Sequence, residues 1–187
     1  MDIIKVEKRD NQAKARQLRR AGIVPCCVYG GGLPNSLSIQ MEQQTADHLL
    51  REKRKGSKIK LDLDGKLIPA QIKEKTRNFA NNKIEHIQFQ ALKADQKVNS
   101  VAHILFKNTD VVPGVLERMI CEVPFASLPE DMIDTVTVDV EGMAVGTLLT
   151  LDDIPEFRDD RIELQIKSDS IVLRISDVKR AAVQEAE

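Results

Sequence analysis

The sequence contains few aromatic residues and no tryptophan. Aromatic side chains make up 3% of the 187 positions, whereas apolar residues as a whole make up 42%. The chain can therefore form hydrophobic cores, built mainly from isoleucine, leucine, valine and alanine. It has no stretch near the ~20 apolar residues of a membrane helix, and its first ten residues, MDIIKVEKRD, lack the apolar run of a signal peptide. These absences favour a globular cytoplasmic protein of one or two domains.

Cysteine is also scarce, with three residues in the whole sequence. Cys26 and Cys27 are adjacent in an apparent strand, so their side chains should point to opposite faces, and Cys121 stands alone. An odd, sparse set without C-x-x-C spacing excludes a disulfide framework and the usual zinc motifs. We therefore predict a reducing compartment, no metal site and no cofactor.

The net charge of −1 conceals two oppositely charged halves. Residues 1–99 contain 20 Lys and Arg against 11 Asp and Glu, whereas residues 100–187 contain 8 against 18. The cationic half suits a polyanionic partner, which would repel the anionic half. Together with the polar segment KADQKVNS (93–100), this change predicts a basic domain over 1–95 and an acidic domain over 96–187.

The first predicted helix covers residues 12–21, with Asn11 as its N-cap and Gly22 at its end. At about 100° per residue, Leu18 and Ala21 lie on the side that can face a core. Three residues share the opposite arc: Arg16, Arg19 and Arg20. Their guanidinium groups could bind a polyanion. The alternative is an ordinary charged helix face that contacts only water.

The next segment, VPCCVYG (24–30), is predicted to be a strand. Alternation places Val24, Cys26 and Val28 on one face, and Cys27 and Tyr29 on the other. A turn, GGLPN (31–35), and a partner strand, SLSIQ (36–40), should complete a hairpin. No GK[ST] motif follows the glycines, which excludes a P-loop nucleotide site.

A second helix is predicted over 42–54, with core-facing positions at Ala46, Leu49 and Leu50. Its C-terminal end carries four cations: Arg51, Lys53, Arg54 and Lys55. Two interpretations stay open for them, contact with phosphate or favourable interaction with the helix macrodipole.

The segment KIKLDLDGKLIPAQIK (58–73) has the strongest local pattern in the chain. Two alternating strands flank an Asp64-Gly65 turn, which is typical of a hairpin. Pro69 predicts that the second strand lies at a sheet edge or carries a bulge. The following residues, TRNFANNK (76–83), are predicted to form a polar loop.

The strand IEHIQFQAL (84–92) completes the pattern of the first half. Three residues should point inward, Ile87, Phe89 and Ala91, and three outward, His86, Gln88 and Gln90. Several short strands with two inserted helices are typical of a small, closed or partly closed β-barrel.

The second half is also predicted to be rich in strands, at 101–106, 135–140, 161–167 and 171–175. Residues 112–129 are predicted to be strand with breaks at Pro124 and Pro129. The segment TVTVDV (135–140) alternates, so one of its faces should be solvated and acidic, and the tail from Ser176 should fray. The predicted fold class is mainly β with a few helices: an N-terminal small β-barrel with two inserted helices, plus a second β-rich C-terminal domain.

The histidines do not form a catalytic pattern. None of His48, His86 and His103 has a cysteine, serine or carboxylate at a spacing that forces a triad or metal site. His86 and Gln88, however, share a polar strand face about 7 Å apart. They could read successive edges of the wide, shallow minor groove of A-form RNA, although an ordinary solvated strand face has the same pattern.

Several segments resemble a known family. LRRAGIVPCCVYGG (18–31), DGK (64–66) and HIQF (86–89) resemble the bacterial 5S-rRNA-binding ribosomal proteins numbered twenty-five in the large subunit. Residues 112–154 are similar to the extra C-terminal domain of the long form of that family, the general stress protein Ctc. The resemblance covers nearly the whole chain.

The resemblance implies a β-barrel that binds the loop E region of 5S rRNA through its minor groove. The implied contacts are Arg19, Tyr29 and His86, with Arg16 and Arg20 as supporting phosphate contacts. The family segment usually reads His-x-Asp-Phe, whereas this chain has Gln88 in place of the aspartate. Glutamine still accepts a hydrogen bond, but it lacks the charge that makes such bonds roughly twice as strong.

The leading hypothesis is a ribosome-associated structural component of the large subunit, with 5S rRNA and large-subunit proteins as partners. It includes no membrane, no small-molecule substrate and no catalysis. The alternative is a diverged, stress-linked paralogue that binds 5S rRNA weakly and acts mainly as a protein-interaction module. A small barrel enzyme is disfavoured because no catalytic constellation is present.

Overall fold

The computed structural model describes residues 2–10 and 12–177, which form two compact units. The first unit comprises residues up to Ser100 together with Leu128–Met132. The second comprises Val101–Ser127 and the residues from Ile133 onward. Each unit has a hydrophobic core of its own.

The first unit is a closed six-stranded barrel with two helices, which confirms the predicted small β-barrel with two inserted helices. The strand order around the barrel is β1-β3-β2-β6-β5-β4. The elements are β1 (Ile3–Lys8), α1 (Ala15–Arg20), β2 (Ile23–Tyr29), β3 (Leu37–Glu42), α2 (Gln43–Glu52), β4 (Lys58–Leu63), β5 (Lys66–Arg77) and β6 (Ile84–Ala91). Parallel pairing of β1 with β4 closes the barrel, and a second parallel pair joins β2 to β6.

Side-chain alternation along β2 and β6 builds the barrel core. Val24, Cys26 and Val28 are buried, as predicted for one face of β2. Ile87, Phe89 and Ala91 are buried on β6, and the three predicted core positions of α2 are buried as well. The opposite faces of both strands therefore remain partly accessible, which leaves their polar side chains for the surface.

The prediction for helix α1 was partly wrong. It begins at Ala15 and not at residue 12, and the N-cap position is Lys14, which makes no side-chain capping bond. Asn11 lies outside the described residues. None of the α1 residues is fully buried. Of the two predicted core-facing residues, Leu18 is half-buried, and Ala21, which follows the helix as its C-cap, is exposed.

The prediction that Pro69 marks an edge strand or a bulge was also wrong. β5 pairs with β4 on one side and β6 on the other, and its bulges lie further along, after Ile72 and Thr76. Pro69 precedes the first pair of the β5–β6 ladder, where its carbonyl accepts a bond from the Leu92 amide at 2.8 Å. A proline is tolerated there because the ladder does not need its missing N–H.

The second half of the chain contains a four-stranded and a three-stranded sheet. The strand orders are β10-β7-β9-β12 and β11-β13-β8. The strands are β7 (Val98–Lys107), β8 (Val115–Arg118), β9 (Glu122–Ser127), β10 (Thr135–Asp139), β11 (Leu148–Thr150), β12 (Glu163–Leu164) and β13 (Ile171–Ser176), with three short 3-10 turns at Thr109–Val111, Leu151–Asp153 and Pro155–Phe157. The β-rich second half was therefore predicted correctly.

Three details of the second half differ from the prediction. Pro124 lies inside β9 and does not break it, and its carbonyl accepts a bond from the Gln165 amide at 3.0 Å. The segment 161–167 forms only the two-residue strand β12. β13 extends to Ser176, and residues 178–187 of the predicted frayed tail lie outside the described residues.

Candidate nucleic-acid interface

Parallel pairing of β2 with β6 brings distant polar residues onto one face. Cys27 pairs with Gln88, and Tyr29 pairs with Gln90. We call the outward side chains of these two strands the β2–β6 face, which consists of Cys27, Tyr29, His86, Gln88 and Gln90. All five are half-buried, so they are held in place by neighbours yet remain accessible.

His86 joins the two strands through its ring. Its Nδ1 lies 2.7 Å from the carbonyl oxygen of Pro25, and because a carbonyl only accepts, Nδ1 must carry the proton. In the neutral ring Nε2 is then an acceptor, and it lies 3.6 Å from Sγ of Cys27, which can donate its S–H. Both ring nitrogens are therefore engaged within the protein.

Arg19 connects helix α1 to the same strand. Its Nε donates to the carbonyl oxygen of Glu85 at 3.0 Å, one residue before His86. This bond spans 66 positions of sequence and fixes α1 beside the β2–β6 face. The rest of the guanidinium group stays exposed and can still donate to phosphate, since arginine has five N–H donors.

A groove of about 390 Å³ lies between helix α1 and the start of β6. Four cations line it: Arg16, Arg19, Arg20 and Lys83. The carboxylate among the lining residues, Glu85, accepts a bond from Nδ2 of Asn78 at 2.9 Å. The excess of positive charge makes this groove, which we call the cationic groove, suitable for an anion such as a backbone phosphate.

Tyr29 and Gln88 supply free hydrogen-bonding groups on the β2–β6 face. In the described part of the chain, neither side chain has a protein hydrogen-bond partner. Burial raises the pKa of the Tyr29 hydroxyl, with smaller contributions from Cys27 and Glu74. The hydroxyl thus stays protonated at neutral pH and can both donate and accept.

The comparisons with known proteins agree with this architecture. Residues 4–89 match the Ribosomal L25p family, and residues 97–179 match the family described as Ribosomal protein TL5, C-terminal domain. A protein of Alkalilimnicola ehrlichii named large ribosomal subunit protein bL25 is 31% identical over 75% of this chain and 68% of its own length. The chain belongs to the ribosomal L25p family.

Other family members show that both halves of the chain are shared. The Nitrosomonas europaea protein of the same name is 27% identical over 91% of this chain and 89% of its own length. The Xanthomonas oryzae pv. oryzae protein of that name is 31% identical over 81% of this chain and 75% of its own. The chain is thus a two-part member of the family.

The structure groups the predicted site residues around the junction of β2, β6 and α1. Tyr29, His86 and Gln88 share the β2–β6 face, and Arg19 is bonded to that strand. Arg16 and Arg20 line the cationic groove. Sequence reasoning missed Lys83, Asn78 and Asn81, which also line the groove, because they belong to a segment whose composition indicated only a polar loop.

Two features are absent from the described residues: a helix that could span a membrane and a cluster of metal ligands. Neither α1 nor α2 has the length and apolar character needed to cross a bilayer. Within residues 2–10 and 12–177, no group of three or more His, Cys, Asp or Glu residues is arranged to hold a metal ion.

The three free cysteines of the chain should differ sharply in reactivity. Burial raises the pKa of the Cys26 thiol to about 12 and also raises that of Cys27, whereas Cys121 is exposed. Because the thiolate is the nucleophile, a raised pKa slows alkylation. With iodoacetamide at pH 8, we expect Cys121 to be labelled first, Cys27 more slowly and Cys26 only on unfolding, as read by peptide mass spectrometry. Equal rates for Cys27 and Cys121 would contradict this packing.

Proposed function

We propose that this protein is a structural component of the large ribosomal subunit and binds 5S rRNA at the minor groove of loop E. The observation that carries the proposal is that Tyr29 and Gln88, with free polar groups, lie on the β2–β6 face, while the start of the same strand β6 lines the cationic groove. The names of the relatives, large ribosomal subunit proteins, support the ribosomal part. The proposal assigns the protein no catalytic step, and its cytoplasmic location stays a prediction.

The chemistry of the two surfaces matches the chemistry of A-form RNA. Its minor groove is wide and shallow and displays 2′-hydroxyl groups and base edges, which donate and accept hydrogen bonds. The Tyr29 hydroxyl and the Gln88 amide can do the same. Arg16, Arg19 and Arg20 then neutralise the flanking phosphates, which fix the protein's position without reading sequence.

His86 has a more conditional role in this proposal. Nδ1 is bonded to the Pro25 carbonyl, and Nε2 contacts the Cys27 thiol. The ring can therefore accept a hydrogen bond from RNA only if Nε2 gives up its contact with the thiol. That contact is long and involves a weak donor, so a 2′-hydroxyl is a better partner for Nε2. His86 therefore both holds β2 against β6 and offers one hydrogen-bond acceptor to the RNA minor groove.

The two parts of the chain are proposed to have different partners. The basic part, 1–95, binds RNA, and the acidic part, 96–187, contacts basic ribosomal proteins or solvent, since its net charge of −10 over 100–187 opposes RNA approach. A second candidate is a stress-linked paralogue with weak 5S rRNA binding that acts through its acidic part. The uncharged Gln88, at the position of the family aspartate, is the observation that favours it.

Replacing Tyr29 with phenylalanine tests the proposal, because the change removes the hydroxyl and keeps the ring. We expect 5S rRNA affinity of the full chain to fall by ~1–3 kcal/mol, as for a lost base contact, in a gel-shift titration at fixed salt. An unchanged affinity, or wild-type binding no tighter to 5S rRNA than to an arbitrary RNA duplex, would contradict it.

The Gln88→Asp variant separates the two candidates. A marked gain in 5S rRNA affinity would favour the paralogue, since it would show that the native side chain weakens the site. The structural-component proposal predicts no such gain. Gln44→Asp, an exposed position on α2, is the matched control for adding one negative charge.

A further inference from the structure

The loop between β5 and β6 carries a fully exposed aromatic ring. Phe79 has a relative exposure of 105%, and it lies in the segment 78–83 that joins the two strands. A single exposed apolar residue is ordinary on a protein surface. Two properties of its surroundings distinguish Phe79: the order of the loop and the charge beside it.

Hydrogen bonds within the loop hold Phe79 at its tip. The Asn78 amide donates to the Lys83 carbonyl at 2.9 Å, and the Asn82 amide donates back to the Asn78 carbonyl at 2.8 Å. The Asn78 side-chain oxygen also accepts a hydrogen bond from the Ala80 backbone amide at 2.9 Å. This bond joins the two residues on either side of Phe79. The ring is therefore presented by a bonded turn, so ordering it on binding costs little.

The same loop forms one wall of the cationic groove. Asn78, Asn81 and Lys83 line the groove together with the arginines of α1. Phe79 directly follows Asn78, ~3.8 Å along the chain. The ring itself does not line the groove, so a nucleotide whose phosphate enters the groove would extend its base past Asn78 to reach Phe79.

We propose that loop 78–83 and the cationic groove together bind one unpaired nucleotide of the RNA, with its base stacked on Phe79 and its phosphate among the arginines. Unpaired bases splayed from RNA are commonly stacked on aromatic side chains, and such stacking tolerates any base. Phenylalanine has no polar group to read a base edge, so the site selects for an unpaired base and not for a sequence. This inference rests on the proposed RNA binding and adds a second contact outside the β2–β6 face.

Substituting Phe79 with tryptophan provides a direct test, because the chain contains no other tryptophan. The full-length Phe79→Trp protein would be titrated with an RNA hairpin carrying one unpaired adenosine and with the same hairpin fully paired. We expect fluorescence quenching with the first RNA and little change with the second, because only an unpaired base is free to stack. Equal quenching with both, or no quenching with either, would overturn the inference.

Affinity measurements with Phe79→Ala give an independent readout. We expect the preference for the unpaired adenosine over the paired hairpin to fall about 10-fold, in the range of stacking losses on alanine substitution. Leu67→Ala, a half-exposed apolar side chain on β5, should leave the preference unchanged.

These outcomes are distinguishable from failure of the proposed function. If Tyr29→Phe weakens 5S rRNA binding while Phe79→Ala does not change the preference, the stacking site is wrong and the main interface stands. If Phe79→Ala instead reduces binding to large-subunit proteins without affecting RNA, the ring is a protein contact and the inference is overturned.

Discussion

Replacing Arg16, Arg19 and Arg20 together with glutamine is expected to lower 5S rRNA affinity about 100- to 1000-fold at 0.1 M salt. Each neutralised phosphate releases counterions, which is worth ~0.7–0.9 logarithmic units of affinity per tenfold change in salt. Three lost contacts should also make the salt dependence shallower by ~2–3 units. Gel-shift or anisotropy titrations at several salt concentrations measure both quantities.

The matched control removes three positive charges at a different place. Arg51, Arg54 and Lys55 are exposed at the C-terminal end of α2 and just beyond it. Their replacement with glutamine removes the same number of positive charges as the α1 variant but leaves the cationic groove intact. It therefore measures the effect of net charge alone on RNA affinity. If the control triple variant loses as much affinity as the α1 variant, the groove has no special role. Circular dichroism should show both variants folded, because the six side chains are exposed.

Gly31→Ala is expected to lower the free energy of unfolding by ~2–5 kcal/mol. Gly31 has a φ of +58°, and a Cβ built there would lie 2.7 Å from the carbonyl carbon and oxygen of Ala91 and from its Cβ. Most of these atoms are backbone, so the end of β6 would have to move. The cost adds the left-handed penalty of alanine to that of overpacking, and denaturant unfolding measures it.

Gly22→Ala separates these two costs. Gly22 also has a positive φ, +77°, but a Cβ there would meet nothing within 4 Å. We expect it to cost only ~1–2 kcal/mol, the conformational term alone. Equal destabilisation by the two variants would show that the close approach of Gly31 to β6 is not important for the barrel.

Much of the barrel could be predicted from local pattern. Alternation identified the buried faces of β2 and β6, because each strand contacts the core on one side only. The Asp64-Gly65 turn identified the β4–β5 hairpin, because Asp64 and Gly65 both have the positive φ that such a turn requires. The spacing of Ala46, Leu49 and Leu50 likewise predicted helix α2.

The arrangement of the candidate interface depends on long-range pairing that local pattern does not encode. Parallel pairing of β2 with β6 joins segments about sixty residues apart, and the bond from Arg19 to Glu85 follows from it. The contacts of His86 with Pro25 and Cys27 are equally distant in sequence. Composition also gave no indication that Phe79 would stand fully exposed next to the groove residue Asn78, since an isolated phenylalanine is more often buried.

Proline positions were misread for a related reason. A proline in a strand is excluded only where its missing N–H is needed by a neighbouring strand. At Pro69 the ladder with β6 has not yet begun, and Pro124 lies within β9, where its carbonyl still accepts a bond. Whether a ladder position needs the N–H depends on which strands are neighbours, and that is a tertiary property.

Chemical probing of 5S rRNA 2′-hydroxyl groups, with and without the full chain, tests the central claim most directly. The proposal places Tyr29 and Gln88 against the minor groove, where 2′-hydroxyls are displayed. We predict reduced acylation of 2′-hydroxyls within loop E, and loss of this protection in the variant lacking Arg16, Arg19 and Arg20. Protection confined to other parts of 5S rRNA, or absent at saturating protein, would contradict the account.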